Sequence, residues 1–353
     1  VDSKMSAMLA ARLYKPGEPL MVESIPVPIP GKNEILVKVE ACGLCGTDIH
    51  LAVDGDLPVQ RSPITLGHEA AGVVSELGED VSEYRVGDRV ALFPSATCGR
   101  CRYCMAGRES LCASAKVYGM VRDGSLAEFV TAPVWSVVRI PTDVSFEEAA
   151  IVTDGVSTPF HALRSRGALK PGESVAVVGC GGLGTHAILL ARMMGAGFIV
   201  AIDTQEAART RSLELGADLA IDPSSEPGAR KMILQQLGEG VDLSLEFVGR
   251  ASTVDTAVSV LGTGGRAVIV GVGMESPQLP PLVRFVGKEH AIIGSFGMDK
   301  RDIEDLLNLV ARKRLDLSNS ISARYPLSEI NEALHRLASQ NTNVVRLVVN
   351  PGS

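Results

Sequence analysis

Hydrophobic and polar positions follow two rhythms along the chain, and the change comes near residue 150. Ahead of it, apolar residues come in short runs. Residues 35–40 end in apolar/polar alternation, the mark of a strand with one buried face. Residues 70–74 and 89–92 are similar runs. Pro30-Gly31-Lys32-Asn33 and Val86-Gly87-Asp88 are the turn formers that punctuate them. Short strands at this spacing predict a small, partly open β-barrel.

Past residue 150 the runs lengthen. Residues 146–169 predict two helical pieces broken near Gly155 and Pro159. Ser174-Val175-Ala176-Val177-Val178 is continuously apolar, as a strand buried on both faces of a parallel sheet must be. A glycine turn follows, then a helix over 183–194 and a strand over 198–202. Helices near 206–215, 229–237 and 253–261 alternate with strands at 219–221, 243–247 and 266–270. This alternation predicts a doubly wound parallel sheet. The tail, with helices near 303–313 and 328–338 and a strand at 344–349, is expected to return to the first domain.

Composition narrows the function classes. With 353 residues, 46% hydrophobic and 21% charged, the chain can bury two cores. A formal charge of −7 argues against a nucleic-acid or anionic-membrane partner, since both need a basic face. No run of eighteen apolar residues predicts a membrane span. The start, Val1-Asp2-Ser3-Lys4-Met5, lacks the zones of a signal peptide, so the cytoplasm is the expected location. Six of the seven cysteines fall within residues 42–112, which without secretion features points to metal rather than disulfides.

Cys98-x-x-Cys101-x-x-Cys104-x7-Cys112 supplies four thiolates in one loop. A closed tetrahedral shell of four thiolates leaves no place for water, so a structural zinc is expected. An iron–sulfur cluster is the competitor, disfavoured because no other electron-carrier feature is present. Upstream, Gly43-Leu44-Cys45-Gly46-Thr47-Asp48-Ile49-His50 and Gly67-His68-Glu69 gather thiol, hydroxyl, carboxylate and imidazole groups. Cys45 and His68 suit a catalytic metal, which takes three protein ligands and keeps a fourth position open. Cys42 would complete a C-x-x-C pair with Cys45. Glu69 is a candidate fourth ligand or a group just outside the shell. Asp48 is expected to orient the ring of His68. Cys180, His161, His186, His290 and His335 read as ordinary structural residues.

Gly179-Cys180-Gly181-Gly182-Leu183-Gly184 is a G-x-G-x-x-G placed between an apolar strand and a helix. Gly179 permits the turn, Gly181 admits a pyrophosphate, and Gly184 lets the helix pack on the sheet. Gly182 and Leu183 open that helix, whose positive end faces the phosphates. Asp203 ends the next strand, where an acid binds the adenosine ribose. Arg209 and Arg211 stand where an adenosine phosphate would need cations, but Asp203 would repel it, which favours NAD over NADP. An N-cap role for Asp203 is the plainer alternative.

Together these segments, with Val86-Gly87-Asp88-Arg89-Val90, resemble the zinc-dependent medium-chain dehydrogenase/reductase family, in its alcohol dehydrogenase branch. The resemblance covers nearly the whole chain. It implies a GroES-like catalytic domain over 1–153 and 293–353, with a structural zinc lobe at about 94–114. A Rossmann domain binding NAD would fill 154–292. It implies two zinc ions per subunit and a homo-oligomer, a tetramer before a dimer. By position, Asp154 falls where many members place a cysteine ligand, so Cys45, His68 and Asp154 would hold catalytic zinc. Thr47 would bond the substrate oxygen, and the proton would leave through Thr47, a cofactor ribose hydroxyl and His50. Val270, Val272 and Ser295 match contacts to the nicotinamide end, and Arg346 a basic residue near the pyrophosphate. Where the family has a lysine after Asp203, this chain has Ala208 or Arg209. The implied reaction is interconversion of an alcohol with its aldehyde or ketone. Polyol, 2,3-butanediol or threonine oxidation is the alternative. If Phe93 and Trp135 line the pocket, apolar, cyclic or aromatic alcohols are favoured; Trp135 as plain barrel core is the alternative. A zinc-stabilised binding protein without activity is the non-enzymatic reading.

Overall fold

The computed structural model describes residues 7–339 and 344–352. Val1 to Met5, read above for a leader, lie outside the described residues. The chain forms two compact units, Val1–Gly155 with Asp299–Ser353, and Val156–Met298. The sequence reading draws these borders at 153/154 and 292/293. The structure keeps Asp154 with the first unit, and it keeps the strand Ala291–Gly294 with the second, where it pairs in the parallel sheet.

In the first unit the long strand Glu34–Leu44 organises the rest. It runs antiparallel to Glu69–Leu77, to Phe129–Pro133 and to Arg346–Asn350. Its inward side chains Ile35, Val37, Val39 and Leu44 join one core with Leu51, Leu66, Leu126, Leu347 and Val349. The register decides the site: Gly43 stands opposite Glu69 and Leu44 opposite Leu347. The end of the strand therefore delivers Cys45 beside residues about 25 and 300 positions away in sequence. Gly43 leaves room for the Glu69 side chain: a Cβ there would lie 2.2 Å from Glu69 Oε2 and 3.1 Å from its Cβ, so Glu69 would have to shift.

The helical stretch after residue 145 differs from the expected pair. Ser145 caps its start, accepting the Glu148 amide at 3.1 Å. The run then passes through Phe146–Ile151, Val152–Val156, Ser157–His161 and Ala162–Arg166, the second and fourth of these being wide π-type turns. Gly155 and Pro159 do not interrupt it, because a π turn accommodates a missing i→i−4 bond.

In the second unit six parallel strands lie in the order Leu219–Ile221, Phe198–Ile202, Ser174–Val178, Val241–Glu246, Leu261–Ile269, Ala291–Gly294. This is the 3-2-1-4-5-6 order of a Rossmann sheet, whose switch point lies between the first and fourth strands. Val177, Ile199, Val200, Leu243 and Leu245 are fully buried within it.

Candidate active site and dinucleotide turn

Four donors converge in the first unit. The ligand atoms of Cys45, His68, Glu69 and Asp154 all lie within 4.8 Å of one another. Cys45 Sγ is 3.2 Å from Asp154 Oδ2, and His68 Nε2 is 3.5 Å from the same oxygen. Cys45 comes from the strand end, His68 and Glu69 from the start of the neighbouring strand, and Asp154 from the π turn Val152–Val156. Gly67, with φ of 90°, turns His68 inward, and a Cβ there would meet Cys42 Sγ at 2.9 Å. Cys42 is outside the cluster. Its thiol faces Ser125 Oγ at 3.3 Å, which removes the C-x-x-C alternative.

Asp48 does less for His68 than expected. Its Oδ2 accepts the Cys45 amide at 2.9 Å, while Oδ1 stands 3.9 Å from His68 Nδ1, beyond a hydrogen bond. Asp48 thus pins the backbone of Cys45 and supplies charge, not a bond, to the imidazole. Thr47 Oγ1 lies 3.8 Å from Cys45 Sγ. His50 is a turn further on, with its side chain 43% exposed.

Glu69 and Arg346 form a pairing that the sequence did not announce. Arg346 Nη1 is 3.4 Å from Glu69 Oε1 without hydrogen-bond geometry, and donates to Leu44 O at 3.3 Å. Both oxygens of Glu69 are buried and lack a hydrogen-bond partner. Burial pushes Glu69 up to about 8, against the pull of Arg346. Burial also pushes the Cys45 thiol up, with Asp154 adding to it. Burial pulls His68 down, but its bonds to Asp154 and Cys45 outweigh that and raise it well above its ordinary value. Three acids and an imidazole thus crowd one buried point, with two carboxylate oxygens unsatisfied. A divalent cation suits this donor set, because it replaces the protons that the crowded groups would otherwise hold.

The cysteine loop also fits a metal. Cys98, Cys101, Cys104 and Cys112 bring their sulfurs within 4.8 Å of one another. Cys101 and Cys104 sulfurs are 3.5 Å apart and Cys98 and Cys104 3.9 Å, far beyond a disulfide bond. Bonds of about 2.3 Å to one tetrahedral zinc imply this order of spacing. Amides of Arg100 and Cys101 lower the Cys98 thiol to about 6, while burial and the neighbouring thiols raise Cys104 to about 12. Trp135 packs against this loop: its Nε1 donates to Thr97 O at 2.7 Å, and a Cβ on Gly99 would lie 2.7 Å from its ring. Phe93 is buried.

In the second unit the glycine turn leaves the carboxyl end of Ser174–Val178. Gly179 has φ of 86°, and a Cβ on Gly184 would lie 1.9 Å from Gly179 O. Gly181 has open space where its Cβ would be, and Gly182 and Leu183 begin the helix Gly182–Met193. Asp203 ends the next strand. Its Oδ2 accepts the Cys180 amide and its Oδ1 the Gln205 amide, both at 2.7 Å. Arg209 donates to Asp203 O at 2.8 Å and pairs with Asp222 at 3.4 Å. Arg211 donates to Cys180 O at 2.9 Å. Val270 and Ser295 are buried just past the carboxyl ends of the fifth and sixth strands, and Val272 is exposed. Ligands bind at these strand ends in open parallel sheets.

The comparisons with known proteins match this geometry. Residues 31–142 match the model of the alcohol dehydrogenase GroES-like domain, and residues 182–312 that of the zinc-binding dehydrogenase. An alcohol dehydrogenase of Geobacillus stearothermophilus is 35% identical over 95% of this chain and 98% of its own length. The chain belongs to the zinc-dependent medium-chain dehydrogenase family. It is an oxidoreductase of that family, with a GroES-like domain and a Rossmann sheet. Relatives in this family differ in substrate. An L-threonine 3-dehydrogenase of Rhizobium etli is 32% identical over 97% of this chain and 99% of its own length. A zinc-binding dehydrogenase from Sinorhizobium meliloti, solved bound to NADP, superposes with a TM-score of 0.87 at 32% identity, covering 98% of this chain and all of the other.

Proposed function

We propose that this dehydrogenase interconverts an alcohol with its aldehyde or ketone, using zinc and NAD. The observation that carries the reading is the convergence of Cys45, His68, Asp154 and Glu69 on one buried point, with the Thr47 hydroxyl beside Cys45. Cys45, His68 and Asp154 would hold the catalytic zinc, with Glu69 as an added oxygen ligand held back by Arg346. The four cysteines of the loop would hold a second, structural ion. Zinc supplies Lewis acidity toward a substrate oxygen, and NAD supplies the hydride acceptor. Thr47 accepts and passes on the hydroxyl proton at Oγ1. His50, half-exposed, holds that proton at the solvent edge. Asp48 keeps the backbone of Cys45 in place.

On the cofactor side, Gly179, Gly181, Gly182, Leu183 and Gly184 would face the pyrophosphate and Asp203 the ribose. Val270, Val272 and Ser295 would meet the nicotinamide end. Arg346 is engaged by Glu69 and Leu44 O, and its pyrophosphate role stays with the family resemblance. NAD is favoured over NADP because Asp203 is negative and both nearby arginines are engaged within the fold. A homo-oligomer is supported by the outer strand Ala291–Gly294 and by exposed Leu282, Val283, Val286 and Phe296 near it, while the order tetramer before dimer stays with the family resemblance. No helix among the described residues is long and apolar enough to cross a membrane. A cytoplasmic setting is proposed, in keeping with cysteines grouped for metal rather than for disulfides.

NADH formation across ethanol, cyclohexanol, sorbitol, 2,3-butanediol and threonine tests the substrate. Preference for sorbitol, 2,3-butanediol or threonine moves the assignment to the second reading, which the 32% identical threonine dehydrogenase supports. His68→Ala should cut turnover by at least about a thousandfold and remove one metal ion per chain while the cysteine loop keeps its own. Undiminished turnover with the metal gone would refute the catalytic-zinc reading.

A further inference from the structure

We propose that Asp56 is the positioning residue of His50: its carboxylate fixes the imidazole as the tautomer protonated at Nδ1, leaving Nε2 as the basic nitrogen. The proposal rests on the reading of His50 as proton acceptor. The backbone after His50 makes the case. It runs through a wide π-type turn, His50–Asp54, and ends at Gly55, whose φ of 68° is left-handed. Glycine is required there twice over, since a Cβ would also meet Pro16 Cβ at 2.8 Å. The reversal carries Asp56 back over the ring, and the Leu57 amide closes the loop on His50 O at 3.5 Å.

As a result His50 Nδ1 lies 3.1 Å from both oxygens of Asp56 and 3.4 Å from Asp54 Oδ2. An ionised carboxylate only accepts hydrogen bonds. A ring nitrogen facing three such oxygens therefore carries the hydrogen. A neutral imidazole holds one proton, so Nε2 keeps its lone pair. When Nε2 takes up a proton, the imidazolium already has two carboxylates beside it to offset the charge. The side chains of His50, Asp54 and Asp56 are 43%, 48% and 56% exposed, so the proton reaches water directly. Asp56 outranks Asp54 because it makes two contacts at the shorter distance. The sequence signal is His50-x-x-x-Asp54-Gly55-Asp56.

The test is 15N NMR of the full-length protein labelled at histidine, at a pH where the ring is neutral. His50 should be protonated at Nδ1 in the parent, mixed between tautomers in Asp56→Ala, and restored in Asp56→Glu. Turnover of the best alcohol of the panel should fall roughly tenfold in kcat in Asp56→Ala, with KM little changed. The same substitution should add no further loss in a His50→Gln background. A parent ring protonated at Nε2, or a tautomer that Asp56→Ala leaves in place, overturns the proposal. Parent-like turnover in His50→Gln sinks the proton-acceptor reading instead and leaves the tautomer result to stand by itself.

Discussion

Single residues set the chemistry of each unit through what they exclude as much as through what they bind. Gly184 lies so close to Gly179 O that a methyl group has nowhere to go. Gly184→Ala should therefore cost about 2 kcal/mol of stability and weaken NAD binding at the same time, read by denaturation and by titration. Asp203 does two jobs. It receives the Cys180 and Gln205 amides, and in the proposed cofactor reading its charge would repel an adenosine phosphate. Asp203→Ala is expected to weaken NAD more than NADP in equilibrium titrations. Tighter binding of NADP than NAD to the parent would reverse the cofactor assignment. Asp203 and the glycines were legible as residues of interest, and Asp154 through the family resemblance. Arg346 was legible only by analogy, and its contact with Glu69 was not, because two residues 277 positions apart carry no local sign of meeting.

At the scale of elements, Ser174–Val178 and Phe198–Ile202 of the second unit were readable because each is a continuous apolar run, whereas the helix Leu282–Gly287 and the sixth strand Ala291–Gly294 went unread, the latter being only four residues at the sheet's edge. The helical stretch after Ser145 was misread because π turns have no sequence period of their own. Between elements, side-chain ties do the fastening. Arg266 grips Glu173 with two hydrogen bonds, 2.6 and 3.1 Å, and the Lys170 amide adds a third at 2.8 Å. Burial raises the Glu173 carboxyl, but these bonds outweigh it and hold it below its ordinary 4.5. A depressed acid contributes stability that is complete above its unfolded pKa and fades as pH falls through the folded one. Glu173→Gln should thus cost about 1 kcal/mol at neutral pH, and the gap in urea midpoint should close toward pH 3. A gap that persists in acid would show that packing, not charge, fastens the two elements.

For the whole molecule, the cysteine loop is tied into the first unit at two further points. Ser110 Oγ donates to Asp299 Oδ1 at 3.0 Å, and the Lys300 amide donates to Glu109 Oε2 at 3.2 Å. The chain's single tryptophan, Trp135, rests against Gly99 of the same loop. Cys101→Ser should abolish binding of the metal proposed for this loop, shift Trp135 emission to the red before global unfolding, and lower Tm by several degrees, on the order of 2–4 °C per kcal/mol. Unchanged emission after metal loss would mean that the loop keeps its shape without the ion. Trp135 buttresses the loop and packs against the core of the first unit, so it gives no ground for an apolar substrate.

By itself the sequence determined the two architectures, the glycine turn, the thiolate loop and most members of the candidate metal site. These depend on short spacings and on periodicity, which act along the chain. Only the tertiary structure decided that Cys42 turns away to Ser125, that Asp48 fastens a backbone amide, and that Asp56 returns onto His50. Those outcomes follow from strand register, a left-handed glycine and the competition of buried charges for few partners. The first joins residues 83 positions apart, and the other two are short-range contacts whose geometry is set by the backbone turns that carry them.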